Sequence, residues 1–330
     1  MITSEKKVPD YNAIAAPTGS VVLIVPQACA GLRLDQALQK LLPEHSRARL
    51  QSWIREEKVR LNGGGAVPKE RVWGGERIWL EAPPEDGEAA HAAQAIALDI
   101  VHEDEAILVV NKPAGLVVHP GCGNREGTLL NALLHHLPRL SAVPRAGIVH
   151  RLDKDTSGLL VVAKTLEAQT NLVRQLQARS VRREYLAIVQ GALDHDGRIE
   201  APIGRHPVHR TKMAVVAGGK PAATRYQVVE PLGGHTLVRC QLETGRTHQI
   251  RVHFQSIAHP LLGDPVYGHK PKMLSAPLRA AVLAFGRQAL HAARLGLIHP
   301  ATQDAIQWAA PTPHDMMALI AVLRREAGLG

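Results

Sequence analysis

One interruption in the pattern decides how this chain can fold. Residues 83–97 read PPEDGEAAHAAQAIA, with neither the alternation of a strand nor the apolar stripe of a helix. A stretch dominated by Pro, Ala, Glu and Gly separates bodies that must each bury their own core. The chain has 330 residues, and at roughly 150 residues per domain that length also fits two domains. The expected division is a loose lead-in at 1–20, a small domain at 21–83, a linker at 84–97 and a large domain at 98–330.

In the small domain, Leu34, Leu38, Leu41 and Leu42 fall on one helical face, with Asp35 near its start and Pro43 at its end. Ser46 can cap a second helix carrying Leu50, Trp53 and Ile54. Val59 to Leu61 then alternates like a strand into the Asn62-Gly63 turn, and Arg77 to Leu80 forms another strand. In the large domain, Ala106–Val110, Leu159–Ala163, Glu184–Val189, Thr236–Leu242 and Ala292–Ile298 have strand character. Leu166–Arg179, a segment capped by Thr247, and Met316–Arg325 have helical spacing. Strands and helices do not alternate strictly, so the fold class is α+β with a mixed, largely antiparallel sheet flanked by helices and loops.

Composition narrows the function. Lys and Arg number 39 against 30 Asp and Glu, a formal charge of +9 that favours a polyanionic partner. Cys29, Cys122 and Cys240 are scattered, which fits a reducing compartment and offers no zinc ribbon. The N-terminus MITSEKKVPD lacks the apolar core of a signal peptide, and the apolar runs are too short for a membrane span. The expectation is a cytoplasmic protein without membrane partners. Gly218-Gly219-Lys220-Pro221 is no P-loop, and no G-x-G-x-x-G follows a strand. His248 and His253 are five apart, unlike the i, i+4 pair of a zinc helix. No metal or cofactor is expected.

Two segments concentrate reactive side chains. His150-Arg151-Leu152-Asp153-Lys154-Asp155-Thr156-Ser157-Gly158 is a polar cluster immediately before an apolar strand, where a rigid sheet presents functional groups. A carboxylate among such cations can act as nucleophile or general base. It can equally belong to a plain polar turn. The residue chemistry alone does not choose between Asp153 and Asp155. In the second segment, Glu243 to His253, a Gly turn presents Arg246 ahead of a helix, where it can hold a carboxylate or a phosphate. Tyr185 follows Arg182 and Arg183 at the start of a strand, a place from which a ring can stack on a base. Arg205, Arg210 and Lys212 lie in a run without acids, and Arg47, Arg49, Lys58 and Arg60 cluster in the small domain; both groups suit phosphate contacts.

Together these segments resemble the RluA-type family of pseudouridine synthases. HRLDKDTSG at 150–158 and LETGRTHQIRVH at 242–253 resemble its hallmark motifs, and NKPAGLVVHPG, REYLA and HPLLGDPVYG match in order. RLDQALQKLLPEHSRARLQSWI followed by VRLNG resembles an S4 (α-L type) RNA-binding module, although Glu57 replaces the Gly common there. The combination is similar to the ribosomal large-subunit synthases. PIGRHPVHRTKMAV looks most like the member that modifies the helix 69 stem-loop of 23S rRNA.

The resemblance implies an isomerase with Asp153 as catalytic carboxylate, Tyr185 as active-site tyrosine and Arg246 as the arginine paired with Asp153. It implies that Arg151, with His150 beside it, helps displace the target base, and that Asp155 has no catalytic part. The implied partner is 23S rRNA or an assembling large subunit, bound without cofactor; a monomer is the default expectation. Other 23S or tRNA uridines are an alternative target. A non-catalytic S4-type assembly factor is an alternative of another class. A carboxylate hydrolase would need a second acid across the cleft, for which the sequence offers no convincing partner.

Overall fold

The computed structural model describes residues 20–42, 47–81, 92–121, 124–209, 211–268 and 274–329. Pro43, the Ser46 cap, the lead-in at 1–19, linker residues 84–91, Cys122, Arg210 and the side chain of Arg49 lie outside the described set. The chain divides into two compact units, Met1–Ala90 and His91–Gly330.

The first unit contains β1 (Ser20–Ile24), α1 (Leu34–Leu41), α2 (Arg47–Arg55), β2 (Val59–Leu61), β3 (Gly64–Gly65) and β4 (Arg77–Glu81). Its sheet runs β1-β4-β2-β3. The apolar stripes read from the sequence meet in its core, where Leu34, Leu38, Leu50, Trp53 and Ile54 pack on Val59, Ile78 and Leu80. Strand β1 goes beyond the sequence reading. Its Val21, Val22 and Ile24 stay exposed, so pairing with β4, and not burial, makes it a strand. Asp35 is fully buried and ion-paired with both Arg33 and Arg47 at 2.9 Å.

The second unit begins with β5 (Ile100–Glu103), β6 (Ile107–Lys112), α3 (Leu129–His136), β7 (Ser157–Ala163), α4 (Leu166–Gln177) and β8 (Arg182–Gln190). There follow β9 (Gly197–Glu200), β10 (Ile203–Arg205), β11 (Met213–Val215), β12 (Ala223–Pro231), β13 (His235–Leu242) and α5 (Gln249–Ser256). It closes with α6 (Ala276–Phe285), β14 (Leu290–Ile298), β15 (Ala305–Ala309) and α7 (His314–Glu326). The main sheet runs β5-β6-β7-β14-β8-β13-β12-β9, with β15 also on β14. Every pairing is antiparallel except β7 with β14, so the mixed, largely antiparallel sheet expected from the sequence is present.

Strand β7 explains the centre of this unit. SGLLVVA is buried at every position, and its side chains alternate between two cores. Leu160 and Val162 join Leu108, Val110, Val189, Val238, Leu129 of α3 and Phe254 of α5. Leu159, Val161 and Ala163 join Ile107, Val109, Leu295 and Leu172 of α4. Helices α6 and α7 cover Ile188 and Leu237 through Leu278, Val282, Met316 and Leu319. Gly158 permits β7 and β14 to approach. Its φ is +113°, and a Cβ there would lie 2.3 Å from the carbonyl oxygen of Ala292.

Residues 92–97 were expected to belong to the linker, but they are tied to the second unit. The buried amide of Asn131 donates to the carbonyl of Ala92 at 2.8 Å, and the amide of Gly127 donates to Oε1 of Gln94 at 2.7 Å. A buried Asn must satisfy its side-chain groups, and this segment supplies partners without any apolar pattern of its own.

Candidate active site

The loop before β7 is braced from beneath. Strand β6 breaks at Pro113 and Gly115, and the turn that results closes around the buried Lys112. The Lys112 ammonium donates to the carbonyls of Pro113 at 2.7 Å, Leu116 at 2.9 Å and Lys154 at 2.9 Å. Burial pulls its pKa down to about 7, against the opposing charges of Asp155 and Asp153. Thr156 accepts a hydrogen bond from the Gln288 amide at 3.0 Å, and its N–H donates to the Asp153 carbonyl at 3.1 Å. The backbone of Asp153 is therefore fixed before any substrate arrives.

The carboxylate of Asp153 is 18% exposed and accepts a 3.0 Å hydrogen bond from Arg251 of α5. Arg251 is itself clamped. Its Nε and second terminal nitrogen donate to Asp264 at 2.7 and 2.9 Å, and its guanidinium lies 5.0 Å over the Tyr267 ring. Burial disfavours the Arg251 charge, but Asp264 and then Asp153 outweigh it and hold the guanidinium more firmly protonated than usual. Asp264 also accepts the backbone N–H groups of Val266 and Tyr267. On the other side of Asp153, Nε2 of His248 stands 3.9 Å from Oδ1. Its Nδ1 shares a 2.8 Å hydrogen bond with the Tyr267 hydroxyl. Burial lowers the His248 pKa, and the Asp153 charge opposes that shift.

These groups open into a cleft of about 890 Å³. Among the described residues its walls carry Arg145, Arg151, Arg179, Arg183, Arg246 and Arg251 against Asp153 and Glu243, so it suits an anionic chain. Tyr185 is 5% exposed and borders the cleft from β8. Burial pushes its phenol up, against the charge of Arg183, so the ring meets a ligand in its neutral form. Among the described residues no group of His, Cys, Asp and Glu could hold a metal ion.

Residues 106–256 match the RNA pseudouridylate synthase family. Ribosomal large subunit pseudouridine synthase D of Nitrosomonas europaea is 56% identical over 96% of this chain and 92% of its own. The chain belongs to the pseudouridine synthase family. Proteins of the same name from Pseudomonas aeruginosa and Escherichia coli are 54% and 53% identical, over 93% and 90% of this chain and 97% and 92% of theirs. Human RNA Pseudouridylate Synthase Domain Containing 4 superposes with a TM-score of 0.54 at 27% identity, covering 68% of this chain and 92% of its own. The domain containing 1 protein gives a TM-score of 0.52 at 28% identity, covering 67% and 86%. The resemblance read from the sequence is thus established, and a pseudouridine synthase is an isomerase.

Within the synthase, Asp153, Tyr185, Arg151 and Arg246 all border one cleft. The pairing expected of Arg246 is overturned. Its Nε donates to the carbonyl of Pro221 at 3.2 Å, its backbone N–H is bound by Gln249 at 3.0 Å, and the guanidinium on Asp153 belongs to Arg251. The helix begins later than its expected Thr247 cap. His248 adopts a left-handed conformation as the N-cap, which places His248 and Arg251, three residues apart, on the side of Asp153. That spacing was visible in THQIR. Arg251 escaped notice because it sits mid-helix between two apolar residues.

His150 borders the same cleft, and one side of its ring is tied to the fold. Val161 donates its N–H to Nε2 at 3.1 Å, and Nδ1 is buried without a partner. Burial, helped by the charge of Arg183, drives its pKa to about 3. The basic groups of the small unit are partly engaged, with Arg47 on Asp35 and Lys58 on Glu56, whereas Arg60 is exposed. Arg205 is exposed on β10, and Lys212 donates to the carbonyl of Val266 at 3.2 Å.

Proposed function

We propose that this synthase converts uridine to pseudouridine in 23S rRNA of the large ribosomal subunit, within the helix 69 stem-loop. The observation that carries the reaction is the largely buried but cleft-facing Asp153 carboxylate, fixed by Arg251 beside Tyr185 in an arginine-walled cleft. The target rests on relatives of 52–56% identity named for the large subunit and on the resemblance of PIGRHPVHRTKMAV.

The target nucleotide leaves its stack to reach Asp153, which costs least in an unpaired loop. Arg151, exposed at the cleft, fills the vacated space. Asp153 attacks C1′ or removes the C2′ proton, and the N1–C1′ bond breaks. The base turns, and C5 bonds to C1′ as the Asp153–C1′ bond breaks or the C2′ proton returns; the C5 proton departs and N1 takes one up. Substrate and product are isomers, so the balance needs no co-reactant. Tyr185 stacks on the detached base. The first unit acts as an S4-type RNA-binding module. The protein works as a monomer in the cytoplasm; among the described residues no helix is long and apolar enough to cross a membrane.

The test is Asp153→Asn, which keeps an acceptor for Arg251 and removes the charge. Tritium release from C5-labelled uridine in a 23S transcript falls by about 10²–10⁴-fold, and RNA affinity stays within about twofold. Wild-type turnover by this variant refutes the assignment. Pseudouridine mapping of 23S rRNA from cells lacking the protein checks the target.

A further inference from the structure

Arg183 is a buried cation that the mechanism above does not use. It is 8% exposed, its Nε is sealed without a hydrogen-bond partner, and it makes no ion pair with any described residue. Burying a guanidinium without a carboxylate is costly. Such a group persists where a ligand completes it. Three features place it at the reacting base. Arg183 and Tyr185 are both buried on β8 while Glu184 between them is half-buried, so strand alternation puts them on one face, about 7 Å apart. Both border the cleft that holds Asp153. The third feature is Gly245 opposite, where a Cβ would come within 2.8 Å of a terminal nitrogen of Arg183. The Gly turn of the Arg246 segment thus leaves room for that guanidinium and fixes its position.

We propose that Arg183 is a catalytic residue that binds the detached uracil as an anion; this rests on the isomerase reading above. When the N1–C1′ bond breaks, its electron pair stays on N1 and spreads to O2 and O4. The guanidinium fork donates hydrogen bonds to those oxygens while the base turns above Tyr185. Arg183 transfers no proton. C5 then supplies the pair for the new C5–C1′ bond, its proton leaves to solvent, and N1 takes one up. Depth separates this role from phosphate binding. Arg145, Arg151 and Arg179 are exposed at the cleft and suit the backbone, whereas Arg183 lies at the level of the buried tyrosine.

The test is single-turnover tritium release by full-length Arg183→Met on saturating C5-labelled 23S transcript. The rate falls by about 10²–10³-fold, as for loss of one oxyanion donor, with RNA Kd within about twofold. In Arg183→Ala, guanidinium ion at non-denaturing concentration restores part of the rate and equal sodium chloride does not. An unchanged rate overturns the proposal. So does weaker RNA binding with a shallower salt dependence, which marks a phosphate contact, or a lost rate that guanidinium does not restore. If these variants fail to fold, Arg183→Lys decides. A rate reduced at least tenfold at unchanged Kd supports the proposal, and a wild-type rate overturns it. Absence of release by the wild type would instead refute the isomerase reading.

Discussion

Arg251→Lys set beside Arg246→Ala separates the two arginines of the Asp153 cleft. Arg251 makes three charge-assisted hydrogen bonds, two to Asp264 and one to Asp153. A lysine carries one ammonium on a flexible stem and cannot reproduce that fork. Asp264 has no exposed side-chain surface, so the ammonium stays with it and Asp153 loses its partner. A hydrogen bond to a charged group is worth about 1.5–3 kcal/mol. At about 1.36 kcal/mol per tenfold, the rate falls roughly ten- to a hundredfold. Asp264 retains an incomplete set of donors, which costs about 1–3 kcal/mol of stability. Arg246→Ala removes a bond to a backbone carbonyl and leaves Asp153 paired, so its single-turnover rate at saturating RNA stays within about threefold. Tritium release and urea unfolding read both variants. If Arg246→Ala lost a hundredfold while Arg251→Lys turned over normally, the geometry described here would be wrong about which guanidinium serves the reaction.

Three further outcomes follow. Deleting residues 1–83 weakens RNA binding and flattens its salt dependence without changing the saturated rate, measured by filter binding across a salt titration. Gly158→Ala places a methyl against the Ala292 carbonyl at positive φ and loses about 3 kcal/mol or more in denaturant unfolding. The pKa of His150 is about 3 in the fold against 6.5 unfolded, so the unfolded chain binds the extra proton between those values. Its contribution is present above pH 6.5 and is lost as pH falls toward 3; the stability of a His150→Gln variant, compared with wild type across that window, lacks this part of the acid loss.

The parts of the fold legible in the sequence are those with one clear period. Strand β7 is an unbroken apolar run because it is buried on both faces, and the stripe of α1 ends in the core where its leucines pointed. Helix α3 reads LLNALLHH, apolar on nearly every side, so no stripe marks it. Strand β12 is mostly half-exposed, and its polar residues hide the alternation. In the site, Asp153 and Tyr185 were reached through motif resemblance. Arg251 and Asp264 became visible only in three dimensions, since their pairing joins a helix to a turn thirteen residues away.

Strand β14 lies between β7, which follows the Asp153 loop, and β8, which carries Tyr185. The Asp153 loop and Tyr185 therefore do not share one sheet until residues 290–298 lie between β7 and β8. During synthesis, residues up to 298 must emerge from the ribosome before this sheet can close. A prematurely terminated chain ending before residue 290 leaves the central sheet split between β7 and β8, however faithfully its motifs were translated.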